Sequence, residues 1–280
     1  WYLLKGRDLG FARRSFAIAS AFGMASILSV IILGDESGYE IGDVQKTKLA
    51  AIEAEWHTEP APAAFTLFGL PNQAEQRTDY AVKIPYVMGI IATRSLDTEV
   101  TGIKDLIKQH ELRIRNGIKA YALLEKLRSG EKTPENLAAF NQHKQDLGYG
   151  LLLKKYTPAV VDASEAQIKQ AALDTIPNVA TVFWSFRLMV ASGFLMLGLF
   201  ICAFWASARK NEEKKRWLLK WALYSLPLPW IAAQTGWLVA EHGRQPWSIA
   251  EVLPVHLSTS TISAADVWGS LLALLAFYSV

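Results

Sequence analysis

The sequence predicts an all-α integral membrane protein: a transmembrane helix bundle carrying a long, mostly helical extracytoplasmic loop domain. Three observations predict it. Mean hydropathy is positive, +0.15, although 20% of the 280 residues are charged, so apolar and polar residues are segregated into separate stretches. Charge-free runs of about bilayer length occur, as in residues 15–34. Between the first two runs lies a polar segment, residues 35–177, far too long for a turn and therefore a domain in its own right.

Taken in order, residues 1–34 form a basic lead-in and a first span. Lys5, Arg7, Arg13 and Arg14 precede the apolar run, and Asp35 and Glu36 follow it, so the basic end faces the cytoplasm. Within the loop, Gln45 to Trp56 predicts a short helix. Thr58 to Leu70, with Pro60 and Pro62, predicts extended chain. Tyr80 to Thr93 is apolar and β-branched, interrupted by Pro85 and Gly89, and predicts strand or extended structure. Ile103 to Leu127 alternates Lys and Arg with Leu and Ile at helical spacing. Thr133-Pro134-Glu135 starts another helix, with proline at the first helical position. Ser164 opens a last one that ends near Thr175, ahead of Pro177.

Residues 178–280 hold three further apolar runs. The second span, Asn178 to Ala206, carries a single charge, Arg187. Arg209 to Arg216 sets five basic residues against Glu212 and Glu213, a cytoplasmic turn. The third span, Trp217 to Ala240, contains Pro227 and Pro229, which neighbouring helices can accommodate. The fourth begins near Ile262. The loop and the Gly243–Trp247 turn then face the same, outer side. A chain that opens on Trp1 and closes within the run Leu271–Val280 reads as a segment of a longer polypeptide.

Composition excludes several classes. A net charge of +3, with no basic run interleaved with aromatics, argues against nucleic acid. One cysteine, Cys202, in an apolar run excludes a disulfide framework and a thiolate metal site. No HxxxH, CxxC, CxxCH, glycine-rich phosphate loop or Gly-x-Ser-x-Gly elbow occurs.

The chemistry-bearing residues gather at the ends of the apolar runs. Trp237 to Trp247 places Glu241, His242, Arg244 and two indoles together. It reads as an interfacial aromatic belt or as a site in which Glu241 has a cation, a metal or water as partner. Arg187 needs an anion: Glu241, a haem propionate, or a lipid phosphate reached by snorkelling. Met189, two residues on and on a different helical face, is either core filling or a soft axial haem ligand. Lys48 and Glu53, five apart near the exit of the first span, are a solvated surface pair or a cation and base for a polar headgroup. No histidine sits mid-span, so these residues alone supply no bis-histidine haem.

In combination these motifs resemble subunit I of the cytochrome bd quinol oxidases. The carriers are Arg187-Leu188-Met189, the Gly236-Trp237-x-x-x-Glu241-x-Gly243-Arg244-Gln245-Pro246-Trp247 stretch and Gly34-Asp35-Glu36-Ser37-Gly38-Tyr39. Lys83-Ile84-Pro85-Tyr86 and Ile90-Ile91-Ala92-Thr93-Arg94-Ser95 agree as well. The resemblance covers the whole chain as the C-terminal part of the subunit, with the long form of the quinol loop. It implies Met189 as the axial ligand of a low-spin haem b, Arg187 as the cation that steadies it, and Glu241 as the ligand of a high-spin haem b. Arg244 is then cofactor-binding, Trp237 lies on the electron path, and Lys48 and Glu53 bind and oxidise quinol. Haem d and the proton channels take their residues from outside this sequence. The implied activity is quinol:oxygen oxidoreduction in a bacterial inner membrane, with residues 35–177 in the periplasm and proton motive force generated without pumping. The implied partners are a second large membrane subunit, small single-span subunits, membrane quinol and the lipid bilayer. A rival reading is a multi-span transporter or sensor with an extracytoplasmic binding domain and an Arg187/Glu241 gating pair; a third is a structural subunit in which that pair fixes helix register.

Overall fold

The computed structural model describes residues 1–95 and 97–279, so Val280, at the end of the last apolar run, lies outside the described residues. Two compact units divide the chain: Trp1–Arg115 with Ser164–Pro246, and Asn116–Ala163 with the residues from Trp247 onward.

The first unit is built on a long helix, α1 (Leu9–Val44), which extends the expected first span at both ends. Its serines do not interrupt it, because Ser20, Ser29 and Ser37 donate to the carbonyls of Ala17, Ala25 and Leu33 on the preceding turn. At one end, Arg13 donates from Nε and Nη2 to both oxygens of Glu213, at 2.7 and 2.8 Å, tying the basic lead-in to the Arg209–Arg216 turn. At the other, Arg94 bonds Glu36 at 2.6 Å and Asp35 at 3.2 Å.

A short helix, α2 (Lys46–Glu53), follows and stops at Ala54, whose φ of 51° is left-handed and turns the chain sharply. The next segment pairs as an antiparallel hairpin, β1 (Phe65–Asn72) and β2 (Arg77–Ile84), with irregularities on either side of Phe68. The expected extended stretch over Tyr80 to Thr93 is therefore only partly so. The strand ends before Pro85, which has no amide for the ladder, and Gly89–Thr93 winds into a wide helical turn. Helix α3 (Ile103–Arg128) matches its amphipathic pattern.

Several caps fall where the sequence puts them. Thr133 accepts from the amide of Asn136 at the start of α4 (Pro134–His143). Ser164 and Gln167 form a reciprocal capping box on α5 (Glu165–Asp174). Asn178 caps α6 (Val179–Ala208), accepting from Thr181 at 2.9 Å.

The third apolar run is not one helix. It breaks into α7 (Arg216–Tyr224) and α8 (Leu228–His242), because Pro227 and Pro229 withhold the amides that would continue the ladder. Among the described residues, two stretches, within Leu9–Gly42 and Glu165–Ala208, are long and apolar enough to cross a membrane.

The core that positions the site joins α2 to the start of α3 and the first turns of α6. Ala50, Ala51, Ile52, Trp56, Ile103, Leu106, Val179, Val182 and Phe183 are all buried there. Small residues on α2 let its backbone lie close against α6.

In the second unit, a Cβ on Gly117 would lie 2.3 Å from the amide of Gly150, so those two backbones are in contact. Tyr149 is buried edge-to-face on Trp247, with centroids 5.1 Å apart, and its hydroxyl donates to Glu251 at 3.1 Å. A short hairpin, β3 (Trp247–Ile249) with β4 (Leu253–Pro254), precedes the last apolar helix, α9 (Ala264–Tyr278), which Ser263 caps.

Candidate functional site

Arg187 and Glu53 meet at the C-terminal end of α2. The left-handed turn at Ala54 leaves the last α2 carbonyls without helical partners, and the guanidinium of Arg187 fills that role. Nη1 donates to Ile52 O at 2.7 Å and Phe183 O at 3.0 Å, and Nε to Leu67 O at 3.2 Å. Nη2 reaches Thr66 O and, at 3.4 Å, the Oε2 of Glu53. The same carboxylate oxygen accepts from the Thr66 amide at 3.0 Å. The guanidinium also lies over the Phe183 ring, 3.3 Å from its centroid.

One side chain thus locks helix α2, strand β1 and helix α6 together. A planar fork of five N–H donors suits four carbonyls and a carboxylate in a way an ammonium cannot. The anion that the sequence requires for Arg187 is Glu53, rather than Glu241 or a lipid phosphate. The gating pair of the rival reading is not formed: Glu241 is instead paired with Arg244.

Glu53 is buried, at 2% exposure, and its carboxyl is raised to about 7. Burial is the main cause, and the nearby Glu55 adds to it; Arg187, the Thr66 amide and Lys83 oppose it. Glu55, on the far side of the Ala54 turn, is raised to about 6 by burial, against a 3.0 Å hydrogen bond from Lys83.

Lys48 lies on the same helix as Glu53 but has different neighbours. Its stem packs on Gly243, where a Cβ would lie 3.0 Å from Lys48 Cγ. Burial, with the like charge of Arg244, lowers its pKa, and Glu241 opposes the shift. Glu241 and Arg244 are paired on successive turns at the end of α8. Beside them, His242 Nε2 and Arg244 Nε are buried without a hydrogen-bond partner.

Met189 lies against α8, its sulfur 3.1 Å from where a Cβ on Gly236 would be. Trp237 follows on that helix, 61% exposed. The seven sequence-derived residues therefore fall into a buried Arg187–Glu53 lock, a Lys48–Glu241–Arg244 cluster, and Met189 and Trp237 on the α6 and α8 faces. Glu55, Glu59, Lys83 and Thr66 join the lock and were not singled out from sequence. Only Lys83 had a signal, as part of the Lys83-Ile84-Pro85-Tyr86 motif.

The profile of the cytochrome bd terminal oxidase subunit I family matches residues 1–280. The chain belongs to that family. Over its whole length it is 44% identical to cytochrome bd-II ubiquinol oxidase subunit 1 of Escherichia coli (strain K12), covering 54% of that protein. Cytochrome bd ubiquinol oxidase subunit 1 of Bacillus subtilis (strain 168) is 25% identical over 99% of this chain and 48% of its own length. The chain thus spans about half the length of these curated relatives. Family membership makes it an integral membrane protein, in keeping with the apolar surface of α1, where Phe11, Ile18, Phe22, Ile32 and Leu33 are exposed.

The donor set fits the haems that family membership implies. Among the described residues no three His, Cys, Asp or Glu side chains gather to hold a bare metal ion. What is present is a thioether at a close helix contact, a carboxylate at a helix end, and unsatisfied imidazole and guanidinium nitrogens next to it. A macrocycle with axial sites and propionates would satisfy such groups.

Proposed function

We propose that this chain is the quinol-oxidising and haem-binding part of a bacterial quinol:oxygen oxidoreductase. The observation that carries the reading is the Arg187 lock. It ties a buried carboxyl raised to about 7 to a helix that bears a soft haem ligand two residues further on. Quinol oxidation needs a proton acceptor and an electron acceptor, and in this reading Glu53 supplies the first while the helix that carries Arg187 also carries Met189, which would hold the second.

In this reading Met189 would hold a low-spin haem b through its thioether, and Arg187 would steady that site. Glu241 would hold a high-spin haem b, with Arg244 beside it to balance the negative charge of that group. The haems, when bound, would supply one-electron transfer and, at haem d, the reduction of oxygen to water. Trp237 lies on the electron path. Glu53 takes the proton from the quinol hydroxyl. Lys48 orients the ring oxygen, since a buried ammonium gains from a further oxygen acceptor. The loop of residues 35–177 is periplasmic, which the Arg13–Glu213 tie between two basic segments at the opposite end of α1 supports. The protein is a multi-pass component of the inner membrane. Its exposed apolar helices meet lipid, a second large subunit and small single-span subunits. Protons released outside and consumed from inside would generate proton motive force without a pump.

The direct test is a reduced-minus-oxidised visible spectrum of the full-length protein in its membrane, beside Glu241→Ala. Haem b and haem d bands in the parent, with the high-spin signals altered in the variant, are expected. A featureless spectrum from folded parent would overturn the oxidase reading.

A second prediction follows from the Glu53 carboxyl. It accepts a proton only when ionised, so quinol turnover should rise with pH through about 7, its charge balanced there by Arg187 and Lys83 against Glu55. Glu53→Gln should abolish that limb and slow turnover by about 100-fold, the low end of general-base contributions, with haem spectra intact. An unchanged pH profile in the variant would remove Glu53 from proton transfer.

A further inference from the structure

We propose that Glu55, Lys83 and Glu59 form the path by which the proton taken from quinol at Glu53 leaves to the outer surface. The inference rests on the reading of Glu53 given above and adds three residues to it. Lys83 Nζ bridges the two carboxylates, donating to Glu55 Oε2 at 3.0 Å and to Glu59 Oε1. Glu59 is held in place from its other oxygen by the Ala64 amide at 3.1 Å, and its backbone pairs with Val100.

Exposure rises from carboxyl to carboxyl, and the bridging Lys83 is the most exposed of the four groups. The side chains of Glu53, Glu55, Glu59 and Lys83 are 3%, 10%, 22% and 35% exposed. The Ala54 turn separates the first two, and Glu55 is near enough for its charge to act on the Glu53 carboxyl.

Charge favours the same direction. Fully ionised, Glu53 and Arg187 form a neutral pair, which a proton makes positive. Glu55, Glu59 and Lys83 together carry one negative charge, which a proton makes neutral. The arriving proton therefore moves from a site it renders cationic to one it renders uncharged. Glu53, raised to about 7, holds the proton somewhat more firmly than Glu55, raised to about 6, so net charge offsets only part of a hop that runs slightly uphill and that release from Glu59 to water draws forward.

The step balances as follows. The quinol O–H bond breaks with its electron pair left on oxygen, a new O–H bond forms on Glu53, and the quinol loses one electron per proton to the acceptor of the proposed function. That proton passes to Glu55. Lys83 Nζ first releases a proton to Glu59 Oε1 and, as the amine, takes the one held on Glu55; Glu59 then gives its proton up to water.

The test is single-turnover oxidation of quinol by the complete oxidase, with haem reduction followed by absorbance and outer proton release by a pH-indicator dye. In the parent the two should keep pace. In Glu55→Gln, which preserves shape and hydrogen bonding, proton release should lag by roughly tenfold or more, with haem spectra unchanged. Glu55→Asp should recover most of the rate, and Glu59→Gln should show a smaller lag. If Glu55→Gln loses its haems, Glu55→Asp and Glu59→Gln decide. Parental release rates in all the variants that retain haem would overturn the path. Glu53→Gln separates the two levels of inference: if it blocks oxidation while Glu55→Gln and Glu59→Gln behave as the parent, only the exit path falls. If Glu53→Gln is also silent, the quinol-site reading falls with it.

Discussion

Met189→Leu is expected to remove the low-spin haem signal from the full-length oxidase, or turn it high-spin, and to lower quinol-driven reduction by at least about 100-fold. Leucine replaces methionine at similar volume, and such exchanges cost little, usually under about 1.5 kcal/mol. The site favours that tolerance, since the side chain lies against Gly236, which presents no side chain of its own to clash. The fold should survive, and what changes is the donor: a thioether with an electron pair for iron becomes a hydrocarbon with none. Normal yield in the membrane, beside an altered low-spin band, would assign Met189 as ligand. An unaltered spectrum at normal yield would make Met189 a packing residue only, and the lock at Arg187 would then have to serve structure without a neighbouring haem.

Local signals and long-range ones were legible in the sequence to very different degrees. Thr133, Ser164 and Asn178 cap their helices because capping is a matter of a few successive residues, and the side-chain oxygens do what their spacing promises. Hydrophobic runs gave α1 and α6 for the same reason. The proline pair in the third run was visible, but its effect depended on whether neighbouring groups restore the lost bonds; here Ser225 and Pro227 close one helix and open another. The site residues were found mainly through a family likeness, whereas their partners were not. Arg187 and Glu53 are 134 residues apart, and no periodicity links a charge in an apolar helix to the last residue of a short one. What the sequence did state was the need: an intramembrane guanidinium must have an anion. Glu55 and Glu59 looked like ordinary loop carboxylates until the hairpin brought Lys83 between them.

That same lock carries the largest expected effect on stability. Arg187→Leu should destabilise the docking of the loop on α6 by about 3–5 kcal/mol, the usual result of removing one partner from a buried ion pair. The loss has two parts: Glu53 keeps a buried charge with no cation, and the carbonyls of Ile52, Thr66, Leu67 and Phe183 lose a donor. The charge part depends on pH, and its sign is fixed by Glu53. In the folded protein its carboxyl is raised from 4.5 to about 7, so the folded state binds more protons than the unfolded one between those values, and stability falls as pH rises through them. Arg187 holds that carboxyl down, so removing the guanidinium moves it higher still and extends the falling limb above 7. The penalty of Arg187→Leu should accordingly be small in acid, where Glu53 is neutral, and grow toward alkaline pH. Adding Glu53→Gln to the variant should recover the charge part at high pH while leaving the carbonyl part lost. Protease protection of the loop in the full-length protein, followed against pH for both variants, would measure this. A penalty that is constant across pH, or that Glu53→Gln does not relieve, would mean that Arg187 acts on the backbone carbonyls alone and that Glu53 is neutral in the folded protein.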